Sequence, residues 1–179
     1  MIQRFWKLLL LLLAQVLVLN HIHVLGYATP ILLPYLTMHF PRGASRVSLL
    51  LWGFGIGLGY DMFSNTMGMG MASATLLGLL QPVLLNLTVP RDSAEDLVPS
   101  PHTMTTGRYH LYVFFSLFIF HLVFYALDAF TLANWWLTVL ALVGGTLLSF
   151  LLVLMIQLFN KNAHSSSPHG QQQQHAIQS

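Results

Sequence analysis

The chain has no cysteine and very little charge: seven Lys and Arg and five Asp and Glu in 179 residues, or 7% charged. Without cysteine there is no disulfide, no thiolate metal site and no cysteine nucleophile; the compartment stays open. Soluble domains carry about 25% charged residues. This chain, 55% hydrophobic with mean hydropathy +0.68, therefore reads as an integral membrane protein. Its length suits one compact bundle and leaves no room for a second domain. The formal charge of +2 is small and the basic residues are dispersed, so no nucleic acid is expected as a partner. A small-x-small cleavage site is also missing. Arg4 and Lys7 precede the apolar run from Leu8 to Leu13, but nothing cleavable follows, and the run is read as a retained first helix.

What is present is a series of apolar stretches. Six spans are expected, at about 5–19, 24–40, 47–63, 69–89, 109–127 and 134–159, giving an all-α membrane bundle. The tail 161–179, rich in Ser, Gln and His, is expected to be disordered. Gln15 lies mid-span and should bond a neighbouring helix. Pro30 and Pro34 should kink or break the second span, whose freed backbone groups need partners from other helices or water. The segment 90–108, with Arg91, Asp92, Glu95, Asp96 and Arg108, is expected to be a solvated linker. With six spans and a cytoplasmic N-terminus, all seven basic residues fall on the inner side. The outer turns, near His21, Asn65 and Asp128, carry no Lys or Arg, as the positive-inside rule requires. Both termini are then cytoplasmic.

The most informative stretch runs from Trp52 to Thr66. Gly53, Gly55, Gly57 and Gly59 form two GxxxG pairs, a spacing that lets a second helix come close. No Lys-Ser/Thr follows them, so they are not a nucleotide loop. Two uses stay open: a groove for a partner's helix, or packing within the chain. Asp61 follows, one turn before Asn65, and is the only acid clearly inside a span. It is either an acid at headgroup level or a residue covered by a partner. His121, inside the fifth span, is a functional candidate or a histidine satisfied by a neighbouring helix. Both lie ~18–21 Å from the inner start of their spans at 1.5 Å per residue, so they could meet if the third and fifth spans are neighbours. His21 and His23 have no third ligand nearby, and the alternating Met67, Met69 and Met71 read as adaptable packing. No metal or cofactor is expected.

These residues resemble a known family. Asn20-His21-Ile22-His23 with Gly26-Tyr27-Ala28-Thr29-Pro30 resembles the start of the second span in the rod-shape-determining MreD family. Gly57-Leu58-Gly59-Tyr60-Asp61-Met62-Phe63-Ser64-Asn65-Thr66, with Gly68 and Ala72, is similar to its third-span signature. Leu127-Asp128-Ala129-Phe130 resembles its late acid-Ala-Phe turn, where many relatives have Glu. The likeness covers roughly residues 2–160 and leaves out the Gln- and His-rich tail. It implies a non-enzymatic subunit of the bacterial cell-elongation machinery in the cytoplasmic membrane. The implied partners are MreC, RodA, a class B penicillin-binding protein and MreB, and the implied role couples cytoskeleton to lateral peptidoglycan synthesis. It also implies a fold like that of the substrate-binding membrane subunits of energy-coupling-factor vitamin transporters.

Three functions can be weighed from the residues. A scaffold would use Gly53, Gly57, Gly59, Asp61, Asn65 and Gly68 to shape a surface for a partner helix. A vitamin-transporter subunit would need an outer pocket of converging polar groups, for which Asp61 and His121 are the main candidates. An intramembrane protease or hydrolase would need paired acids or a nucleophile with its base, and a single in-span acid provides no dyad. The scaffold is the leading expectation.

Overall fold

A computed structural model of the chain describes residues 31–66, 68–89, 97–101, 103–129 and 135–165, with residues 159–165 as backbone only. The described residues are all-helical, with no strand: α1 Leu33–Met38, α2 Arg46–Ser64, α3 Met69–Thr88, α4 Thr106–Ala129 and α5 Trp135–Ser165. By length and composition, four of these helices could cross a membrane, namely α2 to α5. The expected first span at 5–19, residues 24–30 of the second, and the tail from 166 lie outside the described residues.

The long helices alternate in direction. In α2 and α3, Gly53 lies against Ala74 and Gly57 against Met71, the pattern of an antiparallel hairpin. In α4 and α5, Phe114 packs on Phe150 and His121 meets Ser149, again antiparallel. Tyr60 of α2 meets Phe124 of α4 edge-on, so these two helices run the same way. Arg42 and Arg46, before and at the start of α2, therefore share one end of the bundle with Arg108, in the first turn of α4. Asn65 and Asp128 lie at the other end. α2 starts where Ser45 caps it, its Oγ accepting the Ser48 N–H at 3.2 Å. It stops at Asn65, which takes the left-handed conformation with φ 56°.

The core has two layers. Tyr60, Ile56, Leu77, Phe120, Phe124 and Tyr125 form one toward the Asn65 end. Tyr109, Tyr112, Leu117, Leu85, Val89 and Met104 form the other toward the arginine end. The outward faces carry exposed Leu51, Phe54, Leu58, Met62, Leu79, Phe115, Val139, Leu147 and Leu151. Such a surface is compatible with a bilayer, since lipid offers an apolar side chain what a protein interior does.

Two stretches add to the reading of the sequence. The second expected span, where described, is only the six-residue α1, with Pro34 in its first turn. Ile31, Leu32, Leu33, Leu36, Thr37 and Met38 are all buried, so protein surrounds this short helix. Its loose carbonyls are taken up by side chains. Thr37 Oγ1 donates to the Pro34 carbonyl at 2.9 Å, and Tyr112 Oη to that of Met38 at 3.1 Å. Gln81 Nε2 donates to that of Phe40 at 3.2 Å. The described part of the linker, residues 97–101 and 103–105, expected to be solvated, instead docks on the bundle. The Leu97 carbonyl accepts the Arg42 N–H at 3.0 Å, and Pro99 and Met104 are buried. A few apolar residues inside a polar-looking loop were enough to seat it.

Candidate functional site

The site is built from the turn between α2 and α3. The first N–H groups of a helix have no partner inside it and need a cap. The residue at the cap position of α3 is Gly68, which has no side chain to offer and sits at φ 88°, where glycine is favoured. The cap comes from the preceding helix. Asp61 Oδ2 accepts the Met71 N–H at 2.8 Å, and Oδ1 accepts the Gly70 N–H at 2.9 Å. Thr66 Oγ1 donates a short third bond to Oδ1. Asp61 is 8% exposed, so its carboxyl group is buried, yet three donors and the positive end of α3 face it.

This arrangement needs space. A Cβ on Gly70 would come within 2.7 Å of Asp61 Oδ1 and of a Tyr60 ring carbon. Farther along the hairpin, a Cβ on Gly53 would lie 2.5 Å from the Ala74 carbonyl oxygen. A Cβ on Gly57 would overlap Met71 Cα and lie 2.6 Å from the Gly70 carbonyl oxygen. The Gly53/Gly57 pair therefore faces α3 backbone to backbone. The other pair points differently: Gly55 is exposed with open space over it, and Gly59 is half-buried. Asn65 is exposed and turns the chain.

His121 belongs to a separate site, on α4 at 0% exposure. Its Nδ1 donates to the Leu117 carbonyl at 2.8 Å, which leaves Nε2 as an acceptor. Ser149 Oγ of α5 lies 3.3 Å from Nε2 and donates to it, while accepting the Ile31 N–H at 2.9 Å. The Ile31 N–H, the Ser149 hydroxyl and the His121 ring thus form one hydrogen-bonded chain. Tyr125 stacks on the ring with centroids 6.0 Å apart. No hydrogen bond joins His121 to Asp61 among the described residues; each is satisfied where it stands.

Gly70 and Ser149 take part in these sites although the sequence did not single them out, while Thr66 closes the stretch read as most informative. The signal for Gly70 was an acid followed nine residues later by the first turn of a helix whose cap position is glycine. Nothing in the order of residues pointed to Ser149. Among the described residues, no three His, Cys, Asp or Glu side chains come together as a metal site would require.

Outside the hairpin, α2 and α3 leave a shallow groove of about 400 Å³ lined by Leu50, Phe54, Met71, Ala72, Thr75, Leu76 and Leu79. Its one hydroxyl, Thr75 Oγ1, turns back to the Met71 carbonyl at 2.7 Å, so the groove presents apolar surface.

Comparison of the chain with protein-family models, with curated proteins and with solved structures gives no match. The likeness to MreD rests on the motifs quoted above, and the third-span motif is the one that builds the Asp61 cap.

Proposed function

We propose that this chain is a non-enzymatic membrane scaffold of the MreD type, acting in bacterial cell elongation. In this reading it lies in the cytoplasmic membrane with six crossings and both termini inside. It contacts MreC, and through it RodA, a class B penicillin-binding protein and MreB. The observation that carries the reading is the state of Asp61. Among the described residues its hydrogen bonds go to Thr66, Gly70 and Met71, so the most distinctive motif in the chain is spent on holding two helices together. A motif used in this way favours a rigid shape over a reaction. His121 is likewise committed to Leu117 and Ser149.

The outward side of the same hairpin then presents the surface for a partner helix: the apolar groove, with exposed Gly55 elsewhere on α2. Adding bulk in the groove and at Gly55 tests the reading. Ala72→Phe and Gly55→Phe place bulk on exposed positions, and the packed Gly53/Gly57 face is untouched. Both variants should insert normally, and co-purification of MreC should fall sharply. Undiminished co-purification with both would contradict the reading.

A further inference from the structure

The segment around α1 is tied to its surroundings at two buried points, and each tie has an unused counterpart about one turn away. At its start, the Ile31 N–H donates to Ser149 Oγ on α5 at 2.9 Å. At its end, the Met38 carbonyl accepts from Tyr112 Oη on α4 at 3.1 Å. Three residues before Ser149 is Thr146, 3% exposed, whose Oγ1 is buried with no hydrogen-bond partner among the described residues. Four residues after Tyr112 is Ser116, 1% exposed, whose Oγ is in the same condition. Because α4 and α5 are antiparallel, both steps lead toward the Asn65 end. They amount to ~4.5 Å and ~6 Å along the helices, close to the ~5.4 Å pitch. A hydroxyl buried without a partner is costly and calls for a reason.

We propose that residues 31–38 form a strap with two registers. One is the register described here. In the other, the strap sits about one helical turn closer to the Asn65 end, the Ile31 N–H donates to Thr146 Oγ1, and Ser116 Oγ donates to the Met38 carbonyl. Packed elements do switch in steps of one turn. The strap is suited to travel as a unit. Residues 31 and 32 are not helical and residues 41–45 part it from α2, and it carries bonds of its own, from Thr37 Oγ1 to the Pro34 carbonyl and from His39 Nδ1 to the Tyr35 carbonyl. It gives up the 3.2 Å bond from Gln81 to the Phe40 carbonyl and the bond from Tyr112 Oη to the Met38 carbonyl.

The absence of cysteine makes the test direct. Nitroxide labels on Phe40→Cys, beyond the strap, and Trp136→Cys, exposed at the far end of α5, report the axial distance by pulsed electron resonance in lipid nanodiscs. Two distances about 5 Å apart are expected, one helical pitch. Ser149→Ala should raise the shorter population about fivefold, the worth of one net hydrogen bond. Thr146→Val with Ser116→Ala should remove it. A single distance, or two that ignore Thr146→Val and Ser116→Ala, would overturn the strap. The double variant keeps the test decisive if Ser149→Ala does not insert.

Discussion

At the scale of single residues, the main result is that one carboxylate does the work of a missing cap. Asp61→Ala would leave the Gly70 and Met71 N–H groups and the Thr66 hydroxyl without their acceptor. Hydrogen bonds to a charged group are worth about 1.5–3 kcal/mol each, and losses at a shared acceptor do not add. We expect Asp61→Ala to lower stability by about 3 kcal/mol and Asp61→Asn, which keeps one carbonyl oxygen, by about half of that. Thermal unfolding in detergent would check both, and equal stability of Asp61→Ala and wild type would remove the cap from the account. The position of the acid near a span edge was legible from the sequence. Its partners were not. They depend on how the chain reverses at Asn65 and Gly68, and on a carboxylate reaching across the turn to a backbone that a residue pattern does not display. His121 is similar: its burial was readable, but Ser149 is 28 residues away and nothing in the order of residues joins them.

At the scale of elements, the glycines of α2 separate into two faces with opposite expectations. At Gly57 an added Cβ meets the Met71 and Gly70 backbone, which cannot rotate out of the way. Gly57→Ala should therefore force the hairpin apart at a cost of about 1–3 kcal/mol or more. At Gly55 the same change meets open space and should be neutral or stabilising by up to about 1 kcal/mol, through helix propensity. Comparing the two variants by thermal unfolding tests the assignment; similar losses at both would refute it. The GxxxG spacing made close approach legible but could not choose which pair was used, because both pairs share that spacing. The helices themselves were legible because each long apolar run ends at a turn signal such as Ser45, Asn65 or Gly68. The six-residue α1 was less so. Proline announced a break, but the rescue of its carbonyls by Tyr112, Thr37 and Gln81 depends on how other elements pack.

At the scale of the molecule, an all-helical membrane-type architecture follows from composition and is what the described residues form. Polar side chains such as Asp61, Ser73, Gln81, His121 and Ser149 point inward, and the outside is apolar. The proposed orientation places the Arg42, Arg46 and Arg108 end in the cytoplasm. A cysteine at Asn65 should then react with an impermeant thiol reagent added from outside, and one at Arg46 should react only after permeabilisation; the reverse pattern would invert the topology. The central claim is that the outer face of the α2–α3 hairpin holds another protein's membrane helix. The most direct measurement is photo-crosslinking in living cells from a benzophenone side chain at Leu76, in the groove, with Leu151 on the lipid-facing side of α5 as the reference. A strong adduct with MreC from Leu76 and little or none from Leu151 is the expected result. Adducts with lipid alone, or equal capture of MreC from both positions, would contradict the account.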